Sequence, residues 1–441
     1  MMAATKIVVL DDDPTGSQTV HSCLLLTRWD KATLTEALQD DAPLFFVLTN
    51  TRGMSAEHAA LVTHEVCVNL RAALDHLAGQ GQVIEPILVS RSDSTLRGHY
   101  PLETDVIADV LGPFDAHFLV PAFFEGGRIT RDSIHYLIAD GKPVPTHETE
   151  FAKDSVFGYS TSYLPDYVEE KTAARIPADH VERFLLDDIR GDVSQRLRKL
   201  RDNACGVVDA EEQGDLDRFA AQVQDVAADG RRFLFRSAAS LLTSLARLPP
   251  QPVGAEQMAK YVRDGRAGVV IVGSHVKKTT IQLTALLEQA GTVAIEVDVE
   301  RVSADREALL QETLAAVTQA HEKDQTPVVF TSRSEKTFTS QQARLAFGEQ
   351  VSALLMDVVR NLPRRIGFLI SKGGITSNDV LSDGLALRTS RVAGQILAGC
   401  SVVCCPREHP RYAGLPVVIF PGNVGDEQAL ATVFKRLTAV A

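Results

Sequence analysis

Short runs of hydrophobic residues recur along the chain, and each ends in a polar segment that contains acidic, hydroxyl or glycine residues. In the first half these runs lie at residues 6–10, 44–48, 86–89 and 117–120. Between them lie stretches such as 55–77, where apolar residues recur at helical spacing. Buried strands that alternate with amphipathic helices predict βαβ units and a parallel sheet.

The same pattern returns in the second half, where apolar runs lie at residues 269–272, 292–297, 327–330, 366–370 and 417–420. Between the two series, segment 247–254 contains three prolines and a glycine, as a linker would. We therefore predict an α/β protein of two domains, residues 1–248 and 257–441, each a largely parallel sheet flanked by helices. Ligands of such sheets bind beyond the carboxyl ends of the strands, where the polar segments fall.

One stretch breaks this alternation. Residues 146–177 contain serines, threonines, tyrosines and prolines without a helical or strand period. This composition predicts a long surface loop, which is either a lid or a plain excursion of the chain.

Composition and charge narrow the classes of protein. The 441 residues carry 45 basic and 57 acidic side chains, and a net charge of −12 argues against a nucleic-acid surface. We expect no membrane span and no signal peptide, because the chain lacks both a long apolar run and a basic leader. Six irregularly spaced cysteines are typical of reduced thiols, so we expect a cytoplasmic protein. A homodimer is one assembly that the sequence leaves open.

Three consecutive aspartates, Asp11, Asp12 and Asp13, follow the first predicted strand. Like charges this close persist only if a cation, an arginine or a shared proton compensates them. Capping of the next helix by Asp13 or Thr15 would explain one of these acids but not three. We therefore expect the aspartate run to be functional.

The next two predicted strand ends carry arginines beside amide, carboxylate and hydroxyl groups. Asn50 and Arg52 follow the second strand, and the loop after the third contains Asp93, Ser94 and Arg97. The planar guanidinium of arginine binds carboxylates and phosphates through two parallel hydrogen bonds. We expect these residues to bind a small, hydroxylated anion.

Glycine-rich strand ends in the second half predict a phosphate site, since glycine lets main-chain N–H groups approach an oxyanion. Gly373 and Gly374 follow one strand, and Gly422 with Asn423 follows another. A third strand end carries Ser274 and two lysines but lacks the second glycine of a Walker P-loop. Together these strand ends predict a nucleotide site.

These motifs resemble the four-carbon acid sugar kinase family, ATP-dependent kinases of tetronates and 3-oxo-tetronates. The family's elements fall on residues 12–16, 50–52, 93–98, 121–123 with 127–128, 273–274, 373–377 and 422–425. The match covers nearly the whole chain in the expected order, and Asp-Ser-Thr-Leu-Arg-Gly at 93–98 is its most specific part. Departures at Pro14, Gln18 and Ile375 leave open which sugar acid is the substrate.

The resemblance implies an N-terminal sugar-acid domain, a C-terminal nucleotide domain and a phosphoryl-transfer mechanism. Arg52 and Arg97 would hold the substrate carboxylate, with Thr15 beside them. Asp12 or Asp13 would be catalytic and would orient or deprotonate the attacking hydroxyl. ATP would bind with Mg²⁺, whose protein ligands the sequence does not identify. By the same resemblance, the nucleotide would contact Ser274, Gly373, Gly374, Ile375, Thr376, Gly422 and Asn423.

Two alternatives from other classes stay open. Asp11, Asp13 and Thr15 match the Asp-x-Asp-x-Thr signature of haloacid-dehalogenase-type phosphatases, with Asp11 as nucleophile and Asp13 as acid and base. A non-catalytic sugar-acid-binding protein would bind its ligand without consuming ATP. The glycine-rich second half favours the kinase, since a phosphatase would leave that half without a role.

Overall fold

The computed structural model of the chain describes residues 4–274, 276–333, 341–422 and 424–439. The chain divides into two compact units, Met1–Pro250 and Gln251–Ala441. The division falls within the proline-rich segment 247–254.

The first unit contains eight neighbouring strands that all pair in parallel, in the order β2-β3-β1-β4-β11-β5-β10-β9. Strands β6, β7 and β8 form a separate antiparallel sheet. The strands are β1 (Ala4–Asp11), β2 (Leu24–Leu26), β3 (Leu44–Leu48), β4 (Ile84–Arg91), β5 (Ala116–Val120), β6 (Arg128–Arg131), β7 (Ile134–Ala139), β8 (Lys142–Pro145), β9 (Glu182–Phe184), β10 (Ala204–Val208) and β11 (Phe233–Ser237). The helices are α1 (Lys31–Gln39), α2 (Ala56–Gly79), α3 (Leu102–Leu111), α4 (Leu164–Lys171), α5 (Leu186–Arg190), α6 (Ser194–Lys199), α7 (Gln213–Ala228) and α8 (Ser240–Ala246).

Helices cover both faces of this parallel sheet, which is why its strands are continuous apolar runs in the sequence. Strands β3 and β5 are buried at every position. On one face, Phe45 of β3 packs with Leu34 of α1 and Leu70 of α2 in a single core. On the other side of the sheet, Phe118 of β5 makes an edge-to-face contact with Phe219 of α7.

The strand order places the ends of β1, β3, β4, β5 and β11 at one edge of this sheet. Strand β1 lies between β3 and β4, so Asp11 is level with Leu48 and Arg91. Strand β11, although last in the unit, lies between β4 and β5, so Ser237 is level with Arg91 and Val120. Because these strands are parallel, the segments that follow them begin at the same edge.

The second unit contains seven strands in the order β13-β14-β12-β15-β18-β17-β16. The first five pair in parallel, and the last three are joined by antiparallel pairs. The strands are β12 (Val269–Val272), β13 (Thr292–Val297), β14 (Thr326–Thr331), β15 (Leu369–Lys372), β16 (Thr389–Leu397), β17 (Cys400–Cys404) and β18 (Pro416–Phe420). The helices are α9 (Lys277–Leu287), α10 (Arg306–Glu322), α11 (Gln341–Arg360), α12 (Gly374–Asp379) and α13 (Ala429–Thr438). Val270 and Val418 of the sheet share one core with Leu283 of α9 and Leu430 of α13.

The predicted fold class is confirmed: both units are α/β, and each is built on a largely parallel sheet flanked by helices. The helix predicted over 55–77 is α2, which Ser55 caps by accepting from the His58 N–H. The apolar run at 366–370 corresponds to β15, which begins only at Leu369. No helix in the described part of the chain is long and apolar enough to cross a bilayer.

Candidate functional site

Two arginines compensate the three aspartates that follow β1. Asp12 accepts from Nη2 of Arg52 at 2.5 Å and from its Nε at 3.2 Å. Nη1 of the same guanidinium lies 3.5 Å from an oxygen of Asp13. Arg91 Nη1 donates to Asp11 at 3.2 Å and lies 3.7 Å from Asp12. The compensation that the sequence demands therefore comes from within the chain.

Asp11 is fully buried, and its Oδ2 has no hydrogen-bond partner within the described residues. The carboxyl fits because residue 16 is glycine, where an added Cβ would lie 2.0 Å from Oδ2. Burial, partly opposed by the charge of Arg91, raises the pKa of Asp11 to about 7. A buried carboxyl that holds a proton near neutral pH is a poor nucleophile.

Asp13 is the most accessible acid of the three, with 22% of its side chain exposed against 1% for Asp12. It accepts from the Thr15 N–H at 2.9 Å and from the Thr15 hydroxyl. Burial disfavours its charge, but Arg52, Arg91 and the two bonds from Thr15 outweigh burial and lower the pKa of Asp13. The carboxylate is thus ionised at neutral pH and can accept a hydrogen bond or a proton.

The loop that follows β4 packs against the aspartate run. Arg97 Nε donates to Asp93 at 2.7 Å, and the Thr95 hydroxyl donates to the same carboxylate. Burial disfavours the charge of Asp93, but the nearby arginines outweigh it and hold its pKa well below the ordinary value. The Ser92 hydroxyl lies 3.1 Å from Asp12 Oδ2 and joins the two segments into one site.

A buried ion pair, which sequence reasoning missed, connects the strands and helix that carry this site. Arg236 of β11 donates to Glu103 of α3 at 2.6 Å and to the Ser90 hydroxyl at 2.7 Å. The Thr51 hydroxyl donates to the other oxygen of Glu103 at 2.5 Å. Asn50, one of the predicted substrate residues, precedes Thr51 in a left-handed conformation with φ of 54°. The network therefore fixes the segment after β3 to α3 and β11.

A small cavity opens beside the loop after β4. Its lining includes the polar side chains of Ser92, Asp93 and Arg236 and the aromatic side chains of Tyr100 and Tyr167. The cavity has a volume of about 20 Å³, which is room for about one water molecule beside these polar and aromatic side chains.

Of the predicted substrate residues, Ser94 lies deepest and Arg97 is among the most accessible. Ser94 is buried, and its carbonyl oxygen lies 2.7 Å from His135 Nε2. Arg97 is 25% exposed, and its guanidinium lies over the Phe151 ring at 5.0 Å. Arg128 lies over the same ring at 5.9 Å, and its Nε is buried without a partner within the described residues. Arg128 was not among the predicted site residues, although its Gly-Arg motif was visible in the sequence.

In the second unit, the ends of the neighbouring strands β12, β15 and β18 form a compact cradle. An added Cβ on Gly273 would lie 2.2 Å from the Thr376 hydroxyl, and one on Gly422 would lie 3.3 Å from the Ser274 hydroxyl. Gly373 has φ of 123°, and its Cβ position lies 3.1 Å from Ser274 Cβ. The structure thus brings four of the predicted nucleotide residues together, and glycine at position 273 lets these segments approach more closely than a side chain would allow.

The other predicted nucleotide residues are placed differently. Gly374 is the first residue of α12, and the Ile375 side chain is 72% exposed. Asn423 lies outside the described residues. Arg333, which sequence reasoning did not select, follows β14 and donates to the Ser274 carbonyl at 2.9 Å. It adds a cation beside the cradle.

Two family models match the chain. Residues 7–245 match a sugar-binding N-terminal domain, and residues 269–430 match a nucleotide-binding C-terminal domain. D-erythronate kinase of Heliobacterium modesticaldum is 26% identical over 306 residues, which are 67% of this chain and 63% of that kinase. The matched region therefore spans less than two thirds of the length of that relative.

Two crystal structures share the fold. A tRNA-synthase candidate from Salmonella typhimurium LT2 has a TM-score of 0.68 at 20% identity, over 98% of each chain. A Haemophilus influenzae protein has a TM-score of 0.65 at 17% identity, over 98% of this chain and 100% of that one. At these identities the likeness concerns the fold alone.

Proposed function

Since this chain belongs to the four-carbon acid sugar kinase family, we propose that it transfers the γ-phosphoryl group of ATP to a hydroxyl of a small sugar acid. A tetronate or 3-oxo-tetronate is the substrate class that the family suggests. The observation that carries the proposal is the chemistry of the two strand-end clusters. The cluster in the first unit combines acids with arginines, which suit a hydroxy acid. The cluster in the second unit combines glycines with hydroxyl groups, which suit a polyphosphate.

In this proposal Arg97 meets the carboxylate of the sugar acid. Two nitrogens of Arg52 already donate to Asp12, so Arg52 holds the acids in place. Within the described residues, Arg97 donates to Asp93 through Nε and its Nη1 lies 3.8 Å from Asp154, so its guanidinium keeps donors for a ligand. It is also the more exposed of the two arginines. Arg128, over the same Phe151 ring, supplies a second cation. Two adjacent guanidinium groups suit a single carboxylate.

In this proposal Asp13 accepts the proton of the attacking hydroxyl, and Asp12 holds Arg52 in its orientation. Asp13 is ionised at neutral pH and reaches the surface, whereas Asp12 is buried against Arg52. A carboxylate that accepts this proton speeds transfer by about 10² to 10⁴. The bond that forms joins the substrate oxygen to phosphorus, the bond to the β-phosphate oxygen breaks, and ADP leaves.

Ser274, Gly373, Gly374, Ile375, Thr376 and Gly422 hold the nucleotide in this proposal. The described residues contain no group of three or more His, Cys, Asp and Glu side chains arranged for a metal. Mg²⁺ bound through phosphate oxygens and water needs only one or two carboxylates, so an ion that arrives with ATP does not require such a group. Bound Mg²⁺ would neutralise charge on the phosphates.

The phosphatase alternative is less favoured, because its nucleophile would be Asp11. That carboxyl is fully buried, faces Arg91 and has a pKa raised to about 7. We place the reaction in the cytoplasm, where ATP is present and the six free thiols of the chain would stay reduced.

A coupled assay of ATP consumption across four-carbon sugar acids tests the proposal. We expect one or more of these acids to stimulate ADP formation, and Asp13→Asn to lower kcat by about 10² to 10⁴. Asp229→Asn is the matched control, since Asp229 is an exposed acid paired only with Arg198 in the described structure. Phosphate release from a sugar-acid phosphate without ATP would instead support the phosphatase. Undiminished turnover by Asp13→Asn would remove that residue from the mechanism.

A further inference from the structure

Lys372, the last residue of β15, is completely buried, which is rare for a lysine. Its ammonium donates to the carbonyl oxygens of Pro421 at 2.5 Å and of Gly422 at 3.2 Å. It also lies 4.1 Å from the centre of the Phe420 ring. Lys372 is therefore attached to the end of β18 and to the glycine loop that follows it.

These contacts fix the direction of the peptide between Pro421 and Gly422. A trans peptide is planar, with its N–H opposite to its carbonyl. Since the Pro421 carbonyl faces Lys372, the Gly422 N–H points away from the ammonium. The Thr279 hydroxyl donates to the Gly422 carbonyl at 3.0 Å from the side of α9. Lys372 and Thr279 thus hold the Pro421 and Gly422 carbonyls, and the Gly422 N–H is turned away from the ammonium, as binding of an anion there requires.

The charge on Lys372 is costly in this environment. The titratable groups that face it are the buried thiol of Cys400 on β17 and the ammonium of Lys278 on α9. Burial lowers the pKa of Lys372 to about 7, with Cys400 opposing the decrease and Lys278 adding to it. A polyphosphate bound at the cradle would supply the negative charge that this ammonium needs.

We propose that Lys372 is a positioning residue for nucleotide phosphates, which orients the Pro421–Gly422 peptide and couples nucleotide binding to uptake of a proton. The inference deepens the proposed function and rests on its nucleotide site. A bound polyphosphate favours the charged lysine, so by linkage protonation strengthens nucleotide binding. Affinity is greatest below the pKa of the free protein and decreases as the pH rises above it.

Calorimetric titration of the full-length protein with MgADP, at several pH values from 6 to 9 and in two buffers, tests the coupling. For the native protein we expect weaker binding above about pH 7 and uptake of a fraction of a proton near pH 7. Lys372→Met should bind MgADP about tenfold more weakly at pH 6, because one unit of pKa shift corresponds to tenfold in affinity. It should also lose the proton uptake, whereas titration of ADP itself is common to both proteins.

Lys6→Met is the matched control. Lys6 is also buried, donates to two carbonyl oxygens, of Asp40 at 2.5 Å and Ala42 at 2.6 Å, and has a pKa lowered by burial. It lies in β1 of the first unit, so its loss should reduce thermal stability comparably and leave MgADP binding and proton uptake unchanged. A structural effect of losing a buried lysine is thereby separated from an effect on the nucleotide.

The outcomes are distinct. Native affinity and proton uptake in Lys372→Met would overturn the inference, whereas no MgADP or MgATP binding by the native protein would overturn the nucleotide site itself. If Lys372→Met does not fold, the same titrations of the native protein and of Thr279→Val test the inference. Thr279→Val should weaken binding but keep the proton uptake, and a native protein that takes up no proton near pH 7 contradicts the coupling.

Discussion

At the scale of single residues, two glycines near the aspartate run differ in what they accommodate. An added Cβ on Gly16 would lie 2.0 Å from Asp11 Oδ2, whereas one on Gly53 would meet no atom within 4 Å. Neither glycine has the positive φ that would strain another residue. The space that Gly16 leaves is therefore occupied by a buried carboxyl, and the space beside Gly53 is open.

We expect Gly16→Ala to lower the free energy of unfolding by about 1–3 kcal/mol, as overpacking of a buried site does. Displacement of Asp11 should also disturb Arg91 and reduce turnover. Gly53→Ala is the control and should change neither property appreciably. Urea denaturation and the coupled ATP assay measure both effects. Equal stability of the two variants would mean that Asp11 can move without loss.

The residue types of the site could be read from the sequence, but their pairing could not. Three adjacent acids demand compensation, and Arg52 and Arg97 stand at the next strand ends. Which arginine meets which acid depends on strand order. Arg236 illustrates the limit, because its partner Glu103 is 133 residues away along the chain. Lys372 illustrates it too, since its acceptors are backbone carbonyls that no side-chain motif marks.

At the scale of elements, the segment predicted as a lid or a plain loop is tied to the loop after β4. The Tyr159 hydroxyl donates to the Thr95 carbonyl at 2.8 Å, and the Tyr167 hydroxyl donates to the Leu96 carbonyl at 2.8 Å. Tyr167 lies in α4, and Phe151 of the same segment lies against Arg97. The segment thus supports the loop that the proposal assigns to the sugar acid.

We expect the double substitution Tyr159→Phe with Tyr167→Phe to raise the KM for the sugar acid several-fold and to leave the KM for ATP unchanged. Each lost hydroxyl should reduce stability by about 1 kcal/mol. Tyr412→Phe is the matched control, since its buried hydroxyl donates to the Leu362 carbonyl at 2.9 Å in the second unit. Steady-state kinetics with each substrate varied in turn provide the measurement. A parallel rise in both KM values would indicate a general loss of stability.

The accuracy of the strand predictions follows burial only in part. Most of the nine predicted strands are buried apolar runs, and strands buried on both faces give that signal. Strand β13 was predicted although Ala294 and Glu296 are exposed, and the buried strands β2, β10 and β17 were missed. Strands β6, β7 and β8 form a small, partly exposed antiparallel sheet. Because polar and apolar residues are mixed in them, the sequence did not predict these strands. Strand β11 was missed because Arg236 interrupts its apolar run. A buried arginine is tolerated there because Glu103 compensates its charge, and sequence spacing does not reveal that partner.

At the scale of the whole molecule, the two compact units divide the proposed ligands between them. The acids and arginines of the proposed sugar-acid site lie within Met1–Pro250, and the glycine cradle lies within Gln251–Ala441. Each unit has its own hydrophobic core. Each ligand should therefore order mainly the unit that binds it.

Hydrogen-exchange mass spectrometry of the full-length protein tests this division. We expect MgADP to slow amide exchange around Ser274 and residues 373–376 and to leave residues 92–98 unchanged. A substrate sugar acid found in the screen should do the opposite. Amides of α7, on the first unit but distant in sequence from both segments, provide the internal control. Protection of residues 92–98 by MgADP alone would show that the sites are not divided in this way.

The position of β11 has a consequence for biosynthesis. Strands β4 and β5 do not pair with each other, because β11 lies between them, and residues 233–237 are the last strand of the unit to be synthesised. Until those residues leave the ribosome, both strands present an unpaired edge, and Glu103 lacks its buried cation. A nascent chain that stalls before residue 233 therefore holds the aspartate run but cannot complete the sheet that positions it. Such chains are the ones for which we expect the greatest demand on chaperones.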